Sequence, residues 1–163
     1  MVNESVEKMK LKTYRLMMIV SAWVLLSSAN AYCQTFAEYK EAGDNYLRSG
    51  KSALAIDEYK KVLALNPGST DVYFDLAIAY YKERNLKETI SSLEKIIQLD
   101  PNDTEAYYNL GCLKLYGRNF EAACDCFKKA QADDALTFVG KLKTLDPQTQ
   151  DAILLSLATQ SLI

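Results

Sequence analysis

The sequence predicts an all-α protein, a helical-hairpin solenoid of about three units followed by C-terminal helices. Three observations predict it. Two nearly parallel phrases, "LNPGSTDVYFDLA" (65–77) and "LDPNDTEAYYNLG" (99–111), stand 34 residues apart, and a fixed period of that size is the signature of stacked repeats. Within each period the apolar residues recur at spacings of three and four, which places them on one helix face. Pro67 and Pro101 close successive periods, where the ring cannot extend a helix. A third phrase, "LDPQTQDAILLSLA" (145–158), is out of step, because Pro147 follows Pro101 by 46 residues.

The 163 residues suffice for one domain. With 49% apolar and 25% charged residues the composition is globular. A formal charge of −2 gives no basic footprint for nucleic acid, so no nucleic-acid partner is expected. The chain has no His, which removes the commonest general base and the commonest metal ligand together.

Residues 1–33 read as a signal peptide. Lys8, Lys10, Lys12 and Arg15 form a positive n-region, and "LMMIVSAWVLL" (16–26) is an apolar run of eleven residues. That run is shorter than the ~20 residues of a membrane-spanning helix and fits a secretory signal. Ala29 and Ala31 make an A-x-A pattern for cleavage before Tyr32, and cleavage between Cys33 and Gln34 competes with it. An uncleaved membrane anchor is one alternative. A lipid anchor is another, although Tyr32 is not the small residue such a site wants before Cys33. Met9 would start a shorter signal. The expected location is the bacterial envelope: exported, then periplasmic or secreted, with no integral membrane span after cleavage. Of the 19 basic and 21 acidic groups, this segment holds four and two, so the remainder carries a net charge of −4. Nothing in that balance favours a polyanion.

Three repeats are expected over 34–134, at 36–69, 70–103 and 104–134. A step of 34 aligns Tyr39, Tyr73 and Tyr107; Gly43, Ala77 and Gly111; Tyr46, Tyr80 and Lys114. It also aligns Ala55, Thr89 and Ala123; Tyr59, Leu93 and Phe127; Val62, Ile96 and Ala130. Polar turns ("RSGKS", "KERNL", "YGRNF") split each unit into two helices, and Ser69, Thr70 and Thr104 suit helix starts. The small residues at 43, 77 and 111 are expected where two helices approach closely, with Ala55 and Ala123 as their small counterparts. All of these positions read as core.

This pattern resembles the tetratricopeptide repeat (TPR), whose outline is an aromatic, Leu-Gly, Tyr, Ala, an aromatic and Pro. The second unit matches most closely, with Thr89 and Leu93 as departures. The third has Lys114 in place of an aromatic and Ala135 in place of the closing proline. The resemblance implies a concave groove lined by the first helix of each unit and a protein or peptide partner held there. On the matching face the candidate partner-binding residues are Lys40, Arg48, Phe74, Ile78, Tyr81, Lys82, Tyr108, Leu115 and Tyr116. Their aromatic and apolar side chains are what a peptide-binding patch needs; the other reading is that neighbouring helices cover them. TPR proteins that bind chaperone tails hold a terminal carboxylate with Lys, Asn and Arg. At the matching places this chain has Lys40, Asp44, Asp75, Glu105 and Asn109. Only Lys40 fits, and the carboxylates would repel such a ligand.

Cys33, Cys112, Cys124 and Cys126 lack the spacing of a zinc site. Cys124 and Cys126 point to different sides of one helix. Buried small hydrophobes is the first reading of the thiols; a Cys112–Cys124 disulfide is the alternative in an exported protein. No phosphate loop or nucleophile elbow is present, so neither an enzyme activity nor a cofactor or metal is expected.

Residues 135–163 are expected to form capping helices. Ala135, Val139, Leu142, Leu145 and Pro147 reproduce the spacing of Ala55, Tyr59, Val62, Leu65 and Pro67, like a second helix whose first helix is missing. The last segment offers Leu154, Leu155, Leu157 and Leu162 to cover the end of the array. The functional expectation is a non-catalytic adaptor or scaffold. The alternative is a structural protein that self-associates through its C-terminal helix.

Overall fold

The computed structural model describes residues 2–160, with side chains described at 14, 15, 17–23 and 34–156. Among the described residues eight helices follow one another: α1 (Val2–Arg48), α2 (Ser52–Leu65), α3 (Thr70–Lys82), α4 (Leu86–Leu99), α5 (Thr104–Tyr116), α6 (Phe120–Lys129), α7 (Asp133–Lys143) and α8 (Pro147–Gln160). The described residues contain no strand. The expected all-α hairpin solenoid is therefore the observed fold. The segment read as a signal lies within α1, and Met17, Met18, Ile19, Val20 and Trp23 are exposed there. The side chains of the Ala29–Ala31 pattern and of Cys33, and all of Met1, lie outside the described residues. Among the described residues no helix is long and apolar enough to cross a membrane.

The hairpins are α1–α2, α3–α4 and α5–α6, stacked through α2 on α3 and α4 on α5, while α7 packs on α6 and α8 returns to α5. Apolar positions at helical spacing feed three successive clusters. Ala55, Tyr59, Val62, Val72 and Leu76 fill the first; Ala77, Leu93, Ile96, Ala106 and Leu110 fill the second. Leu115, Ala123, Phe127, Val139, Leu142 and Leu154 fill the third. Each repeat buries its apolar face only against the next, which is why the core runs along the array.

The small slots have a different neighbour from the one expected. A Cβ on Gly43 would stand 2.6 Å from Cε1 of Tyr59, and one on Gly111 2.7 Å from Cε1 of Phe127. The glycines make room for aromatic rings on the partner helix, while Ala55 and Ala123 lie fully buried in the core. In the second unit the corresponding pair is Ala77 and Leu93, both buried in one cluster. A larger slot residue there accompanies a smaller partner, and total volume is what a core conserves.

Caps also differ from expectation. Thr70 and Thr104 are first helical residues; the caps are Ser69, which makes no side-chain bond, and Asp103, which accepts from the Ala106 N–H at 2.8 Å. Asn85 and Asn119 cap α4 and α6 by accepting from Glu88 and Ala122 N–H groups.

The out-of-step third phrase has a local cause. The N–H groups of Lys51, Asn85 and Asn119 donate to the carbonyls of Tyr46, Tyr80 and Lys114 at 2.9 Å, closing each hairpin turn. The preceding residues, Gly50, Arg84 and Arg118, are left-handed at φ 72°, 58° and 60°, the usual close of a helix C-terminus. The same closure recurs once more, from Ala132 N–H to Phe127 O at 3.0 Å with Gln131 at φ 56°. It stops α6 after 10 residues, where α2 and α4 run for 14. Helix α6 thus serves twice, as second helix of the third hairpin and as first helix to α7. The first helix missing from the sequence pattern is this shared one, and Ala135 falls inside α7 rather than at a joint.

At the true joints Asn66 and Asp100 are extended, at φ −128° and −130°, as a residue before proline must be. Each side chain accepts from the N–H two residues on, at 3.2 and 2.9 Å. Asp146 does likewise with Gln148 N–H at 3.1 Å, but α8 starts at once on Pro147, a favoured first helical residue. Leu154 turns into the core at 7% exposure and Leu155 is exposed. The Leu157 side chain and all of Leu162 lie outside the described residues.

Candidate partner-binding groove

Helix α5 presents Tyr108, Cys112 and, on the next turn, Leu115 and Tyr116, and α3 brings Tyr81 alongside. Together with Phe127 of α6, Asp133, Asp134, Ala135 and Phe138 of α7 and Leu154 of α8, they line a cavity of about 800 Å³. That lies within the range of ligand-binding clefts and suits several side chains of a peptide. The Tyr108 ring packs on Phe127 with centroids 5.6 Å apart and planes tilted by 56°, an attractive arrangement for two aromatic rings. Tyr108 and Tyr116 remain about half exposed, so their faces are available.

Of the sequence candidates, Tyr81, Tyr108, Leu115 and Tyr116 converge on this cavity. Leu115 is only 7% exposed, packed in the cluster of Phe127, Val139 and Leu154. It is floor, not anchor, because the last helices cover it. Phe74 packs against the cluster of Leu93 and Ile96. Ile78 and Lys82 are exposed on α3 outside the cavity. Arg48 is spent locally, donating to Asn45 Oδ1 at 2.8 Å and to the Asp44 carbonyl at 3.3 Å.

Lys40 is also engaged. Its Nζ lies 2.8 Å from Asp44 Oδ1 and 2.7 Å from Asp75 Oδ2, and the Tyr59 hydroxyl donates to Asp44 Oδ1 at 2.9 Å. Burial pulls the Lys40 ammonium down, but its bonds to Asp44 and Asp75 outweigh that and raise its pKa. Burial, then the bond to Asp44, pushes the Tyr59 phenol far above its ordinary value. The network ties the first hairpin to α3 and leaves Lys40 neutralised by two carboxylates.

Cavity chemistry is neutral apart from Asp133 and Asp134, the only ionised side chains at pH 7 among the lining residues. Burial raises the Cys112 thiol against a lowering bond to Tyr108. The Tyr108 phenol is raised by the neighbouring Cys112, then by burial, and the Tyr81 phenol by burial, then by Tyr116. Cys112, Cys124 and Cys126 are free thiols, so the alternative disulfide is not formed. Contrary to the first reading, Cys112 is exposed at the cavity. Cys124 and Cys126 do serve the core, packing into the third and second clusters respectively. Among the described residues no group of three or more acidic or Cys side chains could hold a metal ion.

Phe138, Leu154, Asp133 and Asp134 were not legible as site residues. They reach the cavity only because Gln131 and Ala132 form a hairpin turn, and neither residue advertises one. Gln131 is not the glycine that favours φ > 0, and Ala132 lacks the capping side chain that Asn85 and Asn119 have.

Residues 46–111 and 92–137 each match the sequence pattern described as tetratricopeptide repeat. Among curated proteins, no sequence matches this chain significantly. Solved structures share the fold. The first TPR of Spaghetti (RPAP3), bound to the HSP90 peptide SRMEEVD, superposes at TM-score 0.60 with 22% identity, over 69% of this chain and 95% of that one. The second TPR domain of human RPAP3, in complex with the HSP70 peptide SGPTIEEVD, gives 0.58 with 20% identity, over 67% and 98%. MamA protein gives 0.59 with 31% identity, over 65% of this chain and 62% of its own. The two matched stretches together run from residue 46 to residue 137, and with the in-phase repeats and stacked hairpins they show that this chain belongs to the tetratricopeptide-repeat family.

Proposed function

We propose that this chain is a non-catalytic adaptor or scaffold whose cavity between α3, α5, α7 and α8 binds a peptide or helix of a protein partner. The observation that carries this reading is the convergence of Tyr81, Tyr108, Tyr116 and Phe138 on one open, mostly apolar cavity of about 800 Å³. Solvated surfaces seldom gather aromatic rings in this way, and buried aromatic anchors dominate binding energy at interfaces. That structural relatives are bound to peptides supports the reading. Those peptides are acidic, and their mode of binding does not transfer, because Lys40 already serves Asp44 and Asp75. The adaptor acts in the bacterial envelope or outside the cell, after removal of residues 1–33. The n-region, the eleven-residue apolar run and the A-x-A pattern support that location.

Two experiments test the two parts. Recovery of partners from an envelope extract is compared for wild type and a Tyr81→Ala/Tyr108→Ala variant; loss of at least one partner by roughly tenfold is expected, since hot-spot truncation costs about 2 kcal/mol or more. Equal recovery of every partner would remove the groove assignment. For location, intact mass of the protein recovered from the cell envelope is expected to lack the first 31 or 33 residues; an unprocessed mass would contradict export with cleavage.

A further inference from the structure

Resting on the groove reading above, we infer that the partner segment is basic, with an apolar or aromatic anchor flanked by Arg or Lys. The lining gives two reasons. Its only ionised groups are Asp133 and Asp134, side by side in the first turn of α7 and both exposed. Among the described residues, no ion pair engages either carboxylate. They favour the positive N-terminal end of α7, but that end still leaves a net negative rim beside an apolar floor. The second reason is the trio of phenol rings. The Tyr81, Tyr108 and Tyr116 rings line the cavity together, and Tyr108 and Tyr116 are about half exposed. The faces of tyrosine rings attract guanidinium and ammonium groups and disfavour a carboxylate laid over them.

Elsewhere on the concave face Lys82 is exposed and the Arg84 guanidinium acts on the Tyr81 phenol, so the negative rim is that of α7 alone. Lys40 sits between Asp44 and Asp75, so that trio sums to one negative charge. An acidic tail reaching for Lys40 would have to break two ion pairs first. Charge complementarity of this kind sets which partners are rejected as much as which are bound.

Fluorescence anisotropy with the full chain and three labelled decapeptides tests the inference. The peptides share a Leu-x-x-Phe frame and differ only in carrying two Arg, two Ser or two Glu at the flanking positions. At low salt the Arg peptide is expected to bind at least tenfold more tightly than the Glu peptide. The preference is expected to shrink to less than threefold in Asp133→Asn/Asp134→Asn and to persist in Asp134→Glu, with folding of each variant checked by circular dichroism. Tyr108→Ala is expected to weaken the Arg and Ser peptides alike. Equal affinity for the Arg and Glu peptides, or a preference unchanged in the Asn variant, would overturn the basic-partner assignment. If binding is then still lost in Tyr108→Ala, the groove itself stands and only the partner chemistry falls. Failure of all three peptides to bind also overturns this inference, and the envelope-extract comparison then decides the groove separately.

Discussion

Gly111 lies directly under the ring of Phe127: a single added methyl would meet Cε1 at 2.7 Å and Cδ1 at 2.8 Å. The ring also carries Tyr108 on its other contact, at a centroid distance of 5.6 Å. One glycine on α5 therefore fixes the height of the ring on which a groove residue rests. The packing of the hairpin and the shape of the cavity are joined at this point.

The relationship predicts a change of sign. Gly111→Ala gains about 1 kcal/mol of helix propensity but overpacks a rigid ring, which costs about 1–3 kcal/mol. The expected net loss is about 1 kcal/mol, read as a lower thermal midpoint. In a Phe127→Leu background, which copies Ala77 and Leu93, the same Gly111→Ala change should stabilise. A destabilisation of the same size in both backgrounds would show that the ring is not what excludes the methyl.

Lys40 holds Asp44 and Asp75 at 2.8 and 2.7 Å. Lys40→Met leaves two partly buried carboxylates facing each other, and should cost about 1–2 kcal/mol in urea unfolding. Adding Asp75→Asn should restore part of that loss. The pH dependence follows from the raised Lys40 pKa. A raised value means stability fully present below the unfolded lysine value of about 10.4, and lost as pH rises through the higher folded value. The difference between wild type and Lys40→Met should therefore be unchanged from pH 7 to 9 and shrink only above about pH 10.5.

Much of this fold was legible because the repeat writes its joints in proline and its slots in glycine. Pro67 and Pro101 stand where the helices end, and Tyr59 and Phe127 are buried as their alignment requires. What escaped was the double use of α6. Its signal is a left-handed Gln131, and a polar residue at φ 56° looks like any helix-surface glutamine until the chain is seen to turn. Half of the cavity wall follows from that turn, so Phe138 and Asp133 escaped with it. Lys40 and Leu115 were placed on the correct helices; their partners, Asp75 and Leu154, lie on helices whose approach periodicity alone does not give.

The turn itself is testable. Left-handed backbone costs a residue with a Cβ about 1–2 kcal/mol, less the extra freedom glycine gives the unfolded chain. Gln131→Gly should thus stabilise by about 0.5–1 kcal/mol, as should Arg84→Gly. Gln131→Val should do the opposite by a larger amount. If Gln131→Val leaves the thermal midpoint unchanged, residue 131 is not left-handed and α6 does not end there.

Helix α8 hangs on few contacts. Arg118 pairs with Asp151 at 2.8 Å and donates to Gln150 at 3.2 Å, while Leu154 enters the core. Its cap is Asp146, whose carboxyl is held below the ordinary range chiefly by the Thr149 hydroxyl, then by its N–H. A lowered value means a cap present at neutral pH and lost as pH falls through it, below about 3.9. Leu154→Ala should cost about 2–3 kcal/mol and raise amide exchange in α8 before other helices. Uniform exchange across the array would mean that α8 is not a separately held cap.

Entry of a partner beside Tyr108 can be read by site-specific photo-crosslinking in whole cells. A photoreactive phenylalanine is placed at Tyr108 or Tyr116 in the cavity, or at Gln98, exposed on α4 outside it. A discrete adduct of higher mass is expected from positions 108 and 116, and none of that mass from position 98. The same adduct from 98, or an adduct from 98 alone, would contradict it.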